Sequence, residues 1–318
     1  MDVARPCALR RADGAGVSVG AAPLQSSGRR DLAEAVKLLY KVFKLRIGLL
    51  IGVTALAGFA VTPGPSPGAA KVFVLILATV VSSAAAGAFN QYVERDLDVQ
   101  MARTRRRPFV TGSLTHGPAW LWLIALMTVG SVSAAALVVN PFSALYVFLG
   151  AFFYAVVYTV WLKRRTWWNI VIGGLAGSFA VLAGAAAVTP ALSPEAIWLA
   201  VVLFLWTPPH FWSLAIIHEK DYAAAGVPML PVVFGLERSA RIIFLNTVLL
   251  VGASIVPFFY GLGWIYLVGA VFAGGYFLNK SIRLARAPSR ATAGQTFGAS
   301  LVHLSVLLVA VMVDAAVG

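Results

Sequence analysis

The sequence predicts an all-α polytopic membrane protein with nine transmembrane helices, and three observations predict it. Of 318 residues, 60% are hydrophobic and only 12% charged, with a mean hydropathy of +0.85; a soluble domain carries about 25% charged residues. Apolar runs long enough to cross a bilayer, about 20 residues each, recur from Leu45 to the C-terminus. The basic residues sort to one side of those runs. The 29 glycines and many alanines suit close helix packing in lipid. No alternating strands of about ten residues appear, which excludes a transmembrane barrel. The lone Cys7 has no intrachain partner and assigns no redox compartment.

In chain order, residues 1–30 are rich in Gly, Ala, Ser and Arg without hydrophobic periodicity, and predict a disordered tail. Arg10-Arg11 is followed by Ala12-Asp13-Gly14 and not by an apolar region, so it is no twin-arginine signal. Residues 31–44 place Leu32, Val36, Leu39, Val42 and Phe43 at helical spacing with Lys37, Lys41 and Lys44, the pattern of an amphipathic helix on a membrane surface. The transmembrane domain then fills 45–318, with spans at 45–62, 71–92, 118–139, 142–162, 168–188, 195–217, 241–259, 261–280 and 295–315. Pro, Gly or Asn marks most gaps, as at Thr62-Pro63-Gly64-Pro65, Asn140-Pro141, Thr189-Pro190 and Gly261-Leu262-Gly263.

With the N-terminus in the cytoplasm and nine alternating spans, only Lys71 of the 25 basic residues falls on the far side. Cytoplasmic loops are enriched in Lys and Arg, so span count and orientation support each other. The same rule accounts for the net charge of +13, which gives no case for nucleic-acid binding. Of the 12 acids, only Glu195 and Asp314 are assigned to the far end. Trp120, Trp161, Trp167, Trp168, Trp198 and Trp264 lie near span ends, as interfacial tryptophans do.

The densest charge follows span two, in Asn90-Gln91-Tyr92-Val93-Glu94-Arg95-Asp96-Leu97-Asp98 and then Arg103-Thr104-Arg105-Arg106-Arg107-Pro108. Asn90, Glu94 and Asp98 are spaced i, i+4, i+8, one face of a helix with about 6 Å of rise per step. Adjacent members can share a hard cation such as Mg²⁺, which takes oxygen ligands and keeps waters or phosphate oxygens. Asp96 projects elsewhere and can bind a second ion or pair with Arg95 or Arg103. Arg103 and Arg107 suit phosphate, because a guanidinium donates two hydrogen bonds at once. Oxygen donors for Mg²⁺ beside arginines are what a diphosphate needs. A second cluster, Glu219-Lys220-Asp221, leaves span six on the same side, after Pro208-Pro209-His210-Phe211-Trp212; the prolines are expected to break the end of that span. Two charged loops on one face can close over one headgroup.

The string Asn90-x-x-x-Glu94-x-x-x-Asp98 with Arg103-Thr104-x-x-Arg107-Pro108 resembles the first signature of the UbiA family of intramembrane prenyltransferases. Pro209-His210-Phe211-Trp212, Asp221-Tyr222-x-x-Ala225-Gly226-Val227-Pro228-Met229-Leu230-Pro231-Val232-Val233, Val157-Tyr158-Thr159 and Asn169-Ile170-Val171-Ile172-Gly173-Gly174 are similar to the members that act on haem, from about Leu45 to Asp314. The resemblance implies a nine-helix bundle with a central cavity in the bacterial inner membrane, its active site facing the cytoplasm. It implies Mg²⁺-dependent transfer of farnesyl from farnesyl diphosphate to the 2-vinyl group of protohaem IX (haem B), giving haem O. It implies Asn90, Glu94, Asp98 and His210 as catalytic residues. Arg103, Arg107 and Lys220 are then diphosphate ligands, and Asn90, Glu94, Asp98, Asp96, Glu219 and Asp221 candidate metal ligands. Haem is substrate, the membrane lipid its surroundings, and a haem A synthase a further candidate partner.

Three departures from the family pattern matter. Glu94 stands where Asp is usual. Glu219-Lys220-Asp221-Tyr222 replaces Lys-Asp-Asp-Tyr, leaving open which acid binds metal. Ala180-Val181 replaces a Pro-Pro pair. His116 and His218 are expected in solvent, and His303 is expected to be buried with Ser300 or Ser305 as hydrogen-bond partner. The rival readings are a prenyltransferase for another aromatic acceptor, such as a quinone precursor, and a membrane transporter without catalysis.

Overall fold

A computed structural model describes residues 27–317 of the chain, so the predicted tail before Ser27 lies outside the described residues. The chain divides into a short unit ending at Lys37 and a main unit from Leu38 onward. Helix α1, Ser27–Val42, begins earlier than the predicted 31 and carries exposed Val36, Leu39 and Tyr40 beside exposed Lys37 and Lys41. It ends at a break where Lys44 takes left-handed φ 47° and ψ 42°, an uncommon conformation for a residue with a side chain. Helices α2 (Leu45–Ala60) and α3 (Ala69–Val93) follow, then two short helices, α4 (Arg95–Gln100) and α5 (Pro108–Thr111).

The next spans are α6 (Ala119–Ala134), which continues as a π-helix over Ala135–Val139, and α7 (Pro141–Phe152), which continues as a π-helix over Phe153–Leu162. Helices α8 (Asn169–Gly173) and α9 (Leu175–Val188) together make one span, and α10 (Pro194–Ile217) the next. After short α11 (Glu219–Ala224) come α12 (Leu230–Ile255), α13 (Trp264–Arg286) and α14 (Arg290–Val317). Among the described residues eight helices are long and apolar enough to cross a membrane, and nine when Ala33–Val42 and Leu45–Ala60 count as one bent span. No strand occurs among the described residues.

Two expectations are corrected. Pro208 and Pro209 do not break the span; α10 runs through them to Ile217. Proline removes the N–H that would bond the carbonyl four residues back, and Asn246 Nδ2 of α12 donates to the Leu205 carbonyl that Pro209 leaves free, at 2.6 Å. A buried backbone acceptor satisfied from a neighbouring helix permits proline inside a membrane span. The seventh span begins not near 241 but at Leu230, and Gly235, with φ 73°, separates its first turn from the rest.

Small residues set the closest helix approach. A side chain at Gly58 would meet the Val181 carbonyl, and one at Gly184 would meet the Ala55 carbonyl, so α2 and α9 cross backbone against backbone. Close approach through small residues is how helices associate in lipid, where burial of apolar surface gives no drive. Away from the charged loops, Asp314 of α14 accepts from the backbone N–H groups of Gly263 and Tyr266, capping the start of α13. At the opposite end, one apolar cluster joins Leu97 and Met101, from the segment after α3, to Trp212 of α10 and to Tyr222, Val227 and Met229, from the segment after α10. That packing brings the two charged sequences onto one face.

Candidate active site

Asn90 lies in the last turn of α3, and the helical ladder persists through the break at Glu94. The Glu94 N–H donates to the Asn90 carbonyl at 3.1 Å and the Asp98 N–H to the Glu94 carbonyl at 2.8 Å. Asn90, Glu94 and Asp98 therefore occupy successive turns, as their spacing predicts, and are 3%, 1% and 0% exposed. A buried carboxylate is costly unless paired and hydrogen-bonded, and each has a basic partner. Lys163 Nζ donates to both Glu94 oxygens, at 2.6 Å to Oε1. Arg107 Nη1 donates to both Asp98 oxygens, at 2.8 and 2.7 Å. Desolvation raises the Asp98 carboxyl above its ordinary range, against the pull of Arg107. Thr104 Oγ1 donates to the Asp98 carbonyl at 3.1 Å, holding the loop that carries Arg107.

Asn90 is fixed from two sides. Its Oδ1 accepts from Lys44 Nζ at 2.8 Å and its Nδ2 donates to Thr159 Oγ1 at 3.1 Å. Lys44 Nζ also donates to the Tyr154 hydroxyl at 2.9 Å, so the left-handed backbone at Lys44 accompanies an amine held inside the site. Gln91 Nε2 donates to the carbonyls of Lys41 and Val42, tying the end of α1 to α3 next to Lys44.

The π-helix of α7 supplies the opposite wall. Lys163 N–H donates to the carbonyl of Tyr158, five residues back, and Thr159 Oγ1 donates to that of Tyr154, also five back. This wider turn places Tyr154, Thr159 and Lys163 on one face against α3, and π-segments recur at functional sites. Lys163 Nζ lies 5.7 Å from the Tyr158 ring centre. Three basic groups (Lys44, Arg107, Lys163) thus meet two carboxylates (Glu94, Asp98), an excess of positive charge where an anion would bind.

The other predicted residues are placed less tightly. Asp96 pairs with neither Arg95 nor Arg103. It forms two bonds of 2.7 Å with Arg164, on an exposed edge, because the turn that buries Asp98 points Asp96 outward. That Arg164 contact holds the Asp96 carboxyl below its ordinary range. Arg103 and Lys220 are exposed; Glu219 and Asp221 are half-buried. His218 Nδ1 lies 3.8 Å from Asp221, and desolvation, then Arg103, lowers its pKa. His116 is exposed, as expected, with its ring stacked 3.9 Å from that of Tyr92. His210 is buried in α10, with Nδ1 2.7 Å from Ser300 Oγ. His303 finds neither expected serine: Ser300 bonds His210, and both His303 ring nitrogens are sealed without a partner among the described residues.

Sequence reasoning missed Lys44, Lys163, Tyr154 and Thr159 as site residues, treating the lysines as orientation markers. Tyr154, Tyr158 and Thr159 inside an apolar span, followed by Lys163, carried the signal.

The profile of the UbiA prenyltransferase family matches residues 51–307. The chain belongs to the UbiA prenyltransferase family. It is 57% identical over 279 residues to protoheme IX farnesyltransferase 2 of Paramagnetospirillum magneticum, covering 88% of this chain and 97% of the relative. It is 48% identical to protoheme IX farnesyltransferase 1 of the same organism, covering 86% and 96%. Among solved structures it is similar to a digeranylgeranylglyceryl phosphate synthase, with TM-score 0.74 and 17% identity over 89% of this chain and 99% of that one. It is also similar to a UbiA homolog from Archaeoglobus fulgidus bound to DMAPP and Mg²⁺, with TM-score 0.67 and 18% identity over 85% and 98%. These two likenesses concern the fold.

No group of three or more His, Cys, Asp or Glu side chains gathers for a metal among the described residues. The donors present still suit Mg²⁺. Asn90, Glu94 and Asp98 offer oxygen ligands from one helical row, and Mg²⁺ is usually held by one or two carboxylates plus substrate phosphates, not by an all-protein cage.

Proposed function

We propose that this chain transfers the farnesyl group of farnesyl diphosphate to the 2-vinyl group of protohaem IX, giving haem O. The observation that carries this reading is the similarity, along 88% of the chain, to a relative named for that acceptor and that prenyl group. The geometry supports it: a buried row of oxygen donors beside three basic groups suits a diphosphate at the end of an apolar bundle.

Adjacent members of the row Asn90, Glu94 and Asp98 are the residues that would hold Mg²⁺, with Glu219 and Asp221 as further ligands from the second loop. When bound, Mg²⁺ neutralises diphosphate charge and favours its departure. Lys163 and Arg107, now engaged with Glu94 and Asp98, turn to the diphosphate oxygens, joined by Arg103 and Lys220 from the exposed loops. Lys44 holds the Asn90 amide with its Oδ1 toward the amine and its Nδ2 toward Thr159. Asp96 fastens α4 to the loop after α7 through Arg164.

In the transfer, the bond between farnesyl C1 and the diphosphate oxygen breaks, and the electron pair leaves with diphosphate. The vinyl carbon of haem attacks the allylic cation. Water captures the new cation and gives up a proton, so haem, farnesyl diphosphate and water yield haem O and diphosphate. The apolar helices around the reacting carbons keep water from the first cation. The site faces the cytoplasm, since the basic loops cluster at its end of the bundle.

Membranes containing the protein, supplied with farnesyl diphosphate and either haem or a hydroxybenzoate, test the reading by product mass. Farnesylated haem with a hydroxyethyl group is expected. Prenylated benzoate without haem O would overturn it.

A further inference from the structure

His210 is held in a way that the diphosphate chemistry does not need. Its ring lies between two aromatic rings, Trp206 at 4.3 Å and 19° and Phe297 at 4.6 Å and 27°. Trp206 Nε1 donates to the Ser300 carbonyl at 2.7 Å, locking α10 to α14 at that level. Both faces of the imidazole are thereby covered, and the ring is free only at its edge.

The edge has a defined polarity. Ser300 Oγ is 2.6 Å from the Phe297 carbonyl and 2.7 Å from His210 Nδ1. A hydroxyl has one proton to donate, and a carbonyl only accepts. The Ser300 proton therefore points to the Phe297 carbonyl, and the proton between His210 and Ser300 sits on Nδ1. Nε2 is left with a bare lone pair and no hydrogen-bond partner among the described residues. His303, one turn further along α14, differs: both its nitrogens are sealed, while Nε2 of His210 is not among the sealed unpaired atoms.

A ring nitrogen with a free lone pair, whose opposite nitrogen donates to a fixed acceptor, is the arrangement of a metal-ligating histidine. We propose that His210 Nε2 ligates the iron of the haem acceptor and that Ser300 is the positioning residue that sets its tautomer and ring plane. This rests on the haem reading above. Ligation pins the porphyrin centre, so that the reacting vinyl group is presented from a fixed plane.

The test uses the purified full-length protein with haem B and no farnesyl diphosphate, read by resonance Raman of the ferrous complex and by haem titration. Wild type is expected to give an iron–histidine stretching band. His210→Ala is expected to lose it, and millimolar imidazole to restore an iron–imidazole band. Ser300→Ala is expected to shift the band and weaken haem binding about 10–100-fold, the usual effect of removing such a supporting partner, with Ser300→Thr returning both toward wild type. An unchanged band in His210→Ala overturns the proposal, even if product is lost, because the histidine then acts on something other than iron. A Ser300→Ala spectrum and affinity equal to wild type also overturn the positioning role. That variant keeps the histidine and removes one oxygen, so it decides the positioning role if His210→Ala fails to fold, and absence of an iron–histidine band in wild type overturns the ligation without any variant. Failure of wild type to farnesylate haem in a parallel assay would instead overturn the proposed function, whatever the spectra give.

Discussion

Glu94 and Asp98 are almost wholly buried, and each carboxylate is met by a basic side chain reaching in from another part of the chain. Glu219 and Asp221 stand half-buried in the neighbouring loop, with His218 at 3.8 Å from Asp221. Both clusters belong to one face, joined by the apolar cluster that holds Leu97, Met101, Tyr222 and Met229. The difference lies in desolvation. Buried carboxylates require compensating charge before any substrate arrives, so the first cluster is built as an ion-pair network. The second is wetter and needs no such network; Asp221 has the loose 3.8 Å contact with His218. Under the proposed function Lys163 and Arg107 would have two partners in sequence, the acids first and the diphosphate afterwards, and substrate entry would be tied to opening of the network.

The strongest way to break this contrast is to remove one partner of the buried pair. Lys163→Met leaves Glu94 buried beside no lysine, and loss of one member of such a pair costs about 3–5 kcal/mol. The double variant Lys163→Met/Glu94→Gln is expected to recover most of that stability in thermal unfolding, while haem O formation stays at background. If the double variant regained activity, the pair would be structural and not part of the site.

Asp98→Asn keeps shape and removes charge. Product formation is expected to fall about 10³-fold, in line with loss of a group that stabilises transition-state charge. The folded protein should persist, because the Arg107 partner keeps partial solvent access. The Asp98 carboxyl is raised above its ordinary value by desolvation, so its loss of charge on acidification begins at a higher pH than in the unfolded chain. With Mg²⁺ below saturation, because a bound cation competes with the proton for Asp98, the activity limb on the acid side should therefore lie above the normal Asp range of about 3.9, as read from the pH dependence of haem O formation.

How much of this was legible beforehand follows the same physics. The apolar helical segments and the row Asn90–Glu94–Asp98 could be read because hydropathy and helical period act within one stretch of chain. Lys163 could not be assigned from its neighbours, since its role depends on a π-turn that aligns residues five apart and on contact with a residue 69 positions away. Lys44 depends likewise on a left-handed backbone that no periodicity announces. Pro208 and Pro209 read as a break because the compensating donor, Asn246, comes from another helix. Ser300 was read as a partner for His303 because both lie on α14, whereas the tertiary fold gives it to His210.

The half-buried loop supplies the milder test. Asp221→Asn and Glu219→Gln are each expected to change stability by less than about 0.5 kcal/mol, as surface substitutions do. They should nonetheless raise the Mg²⁺ concentration needed for half-maximal transfer, and the acid with the larger rise is the ligand. Equal activity at every Mg²⁺ concentration in both variants would leave the metal to the buried row alone.

The smallest effect belongs to Asp96 and Arg164, whose 2.7 Å bonds are geometrically as good as those of the buried pairs. Distance is not what decides their worth. The Asp96 side chain is 59% exposed, water competes for both partners, and exposed pairs contribute about 0–1 kcal/mol. Asp96→Asn is expected to lower the unfolding temperature slightly at low salt, an effect that vanishes at high salt, and to leave haem O formation within about twofold, the kinetic equivalent of less than 1 kcal/mol. A loss comparable to that of Asp98→Asn would move Asp96 into the metal row and make burial the wrong criterion for telling site acids from surface ones.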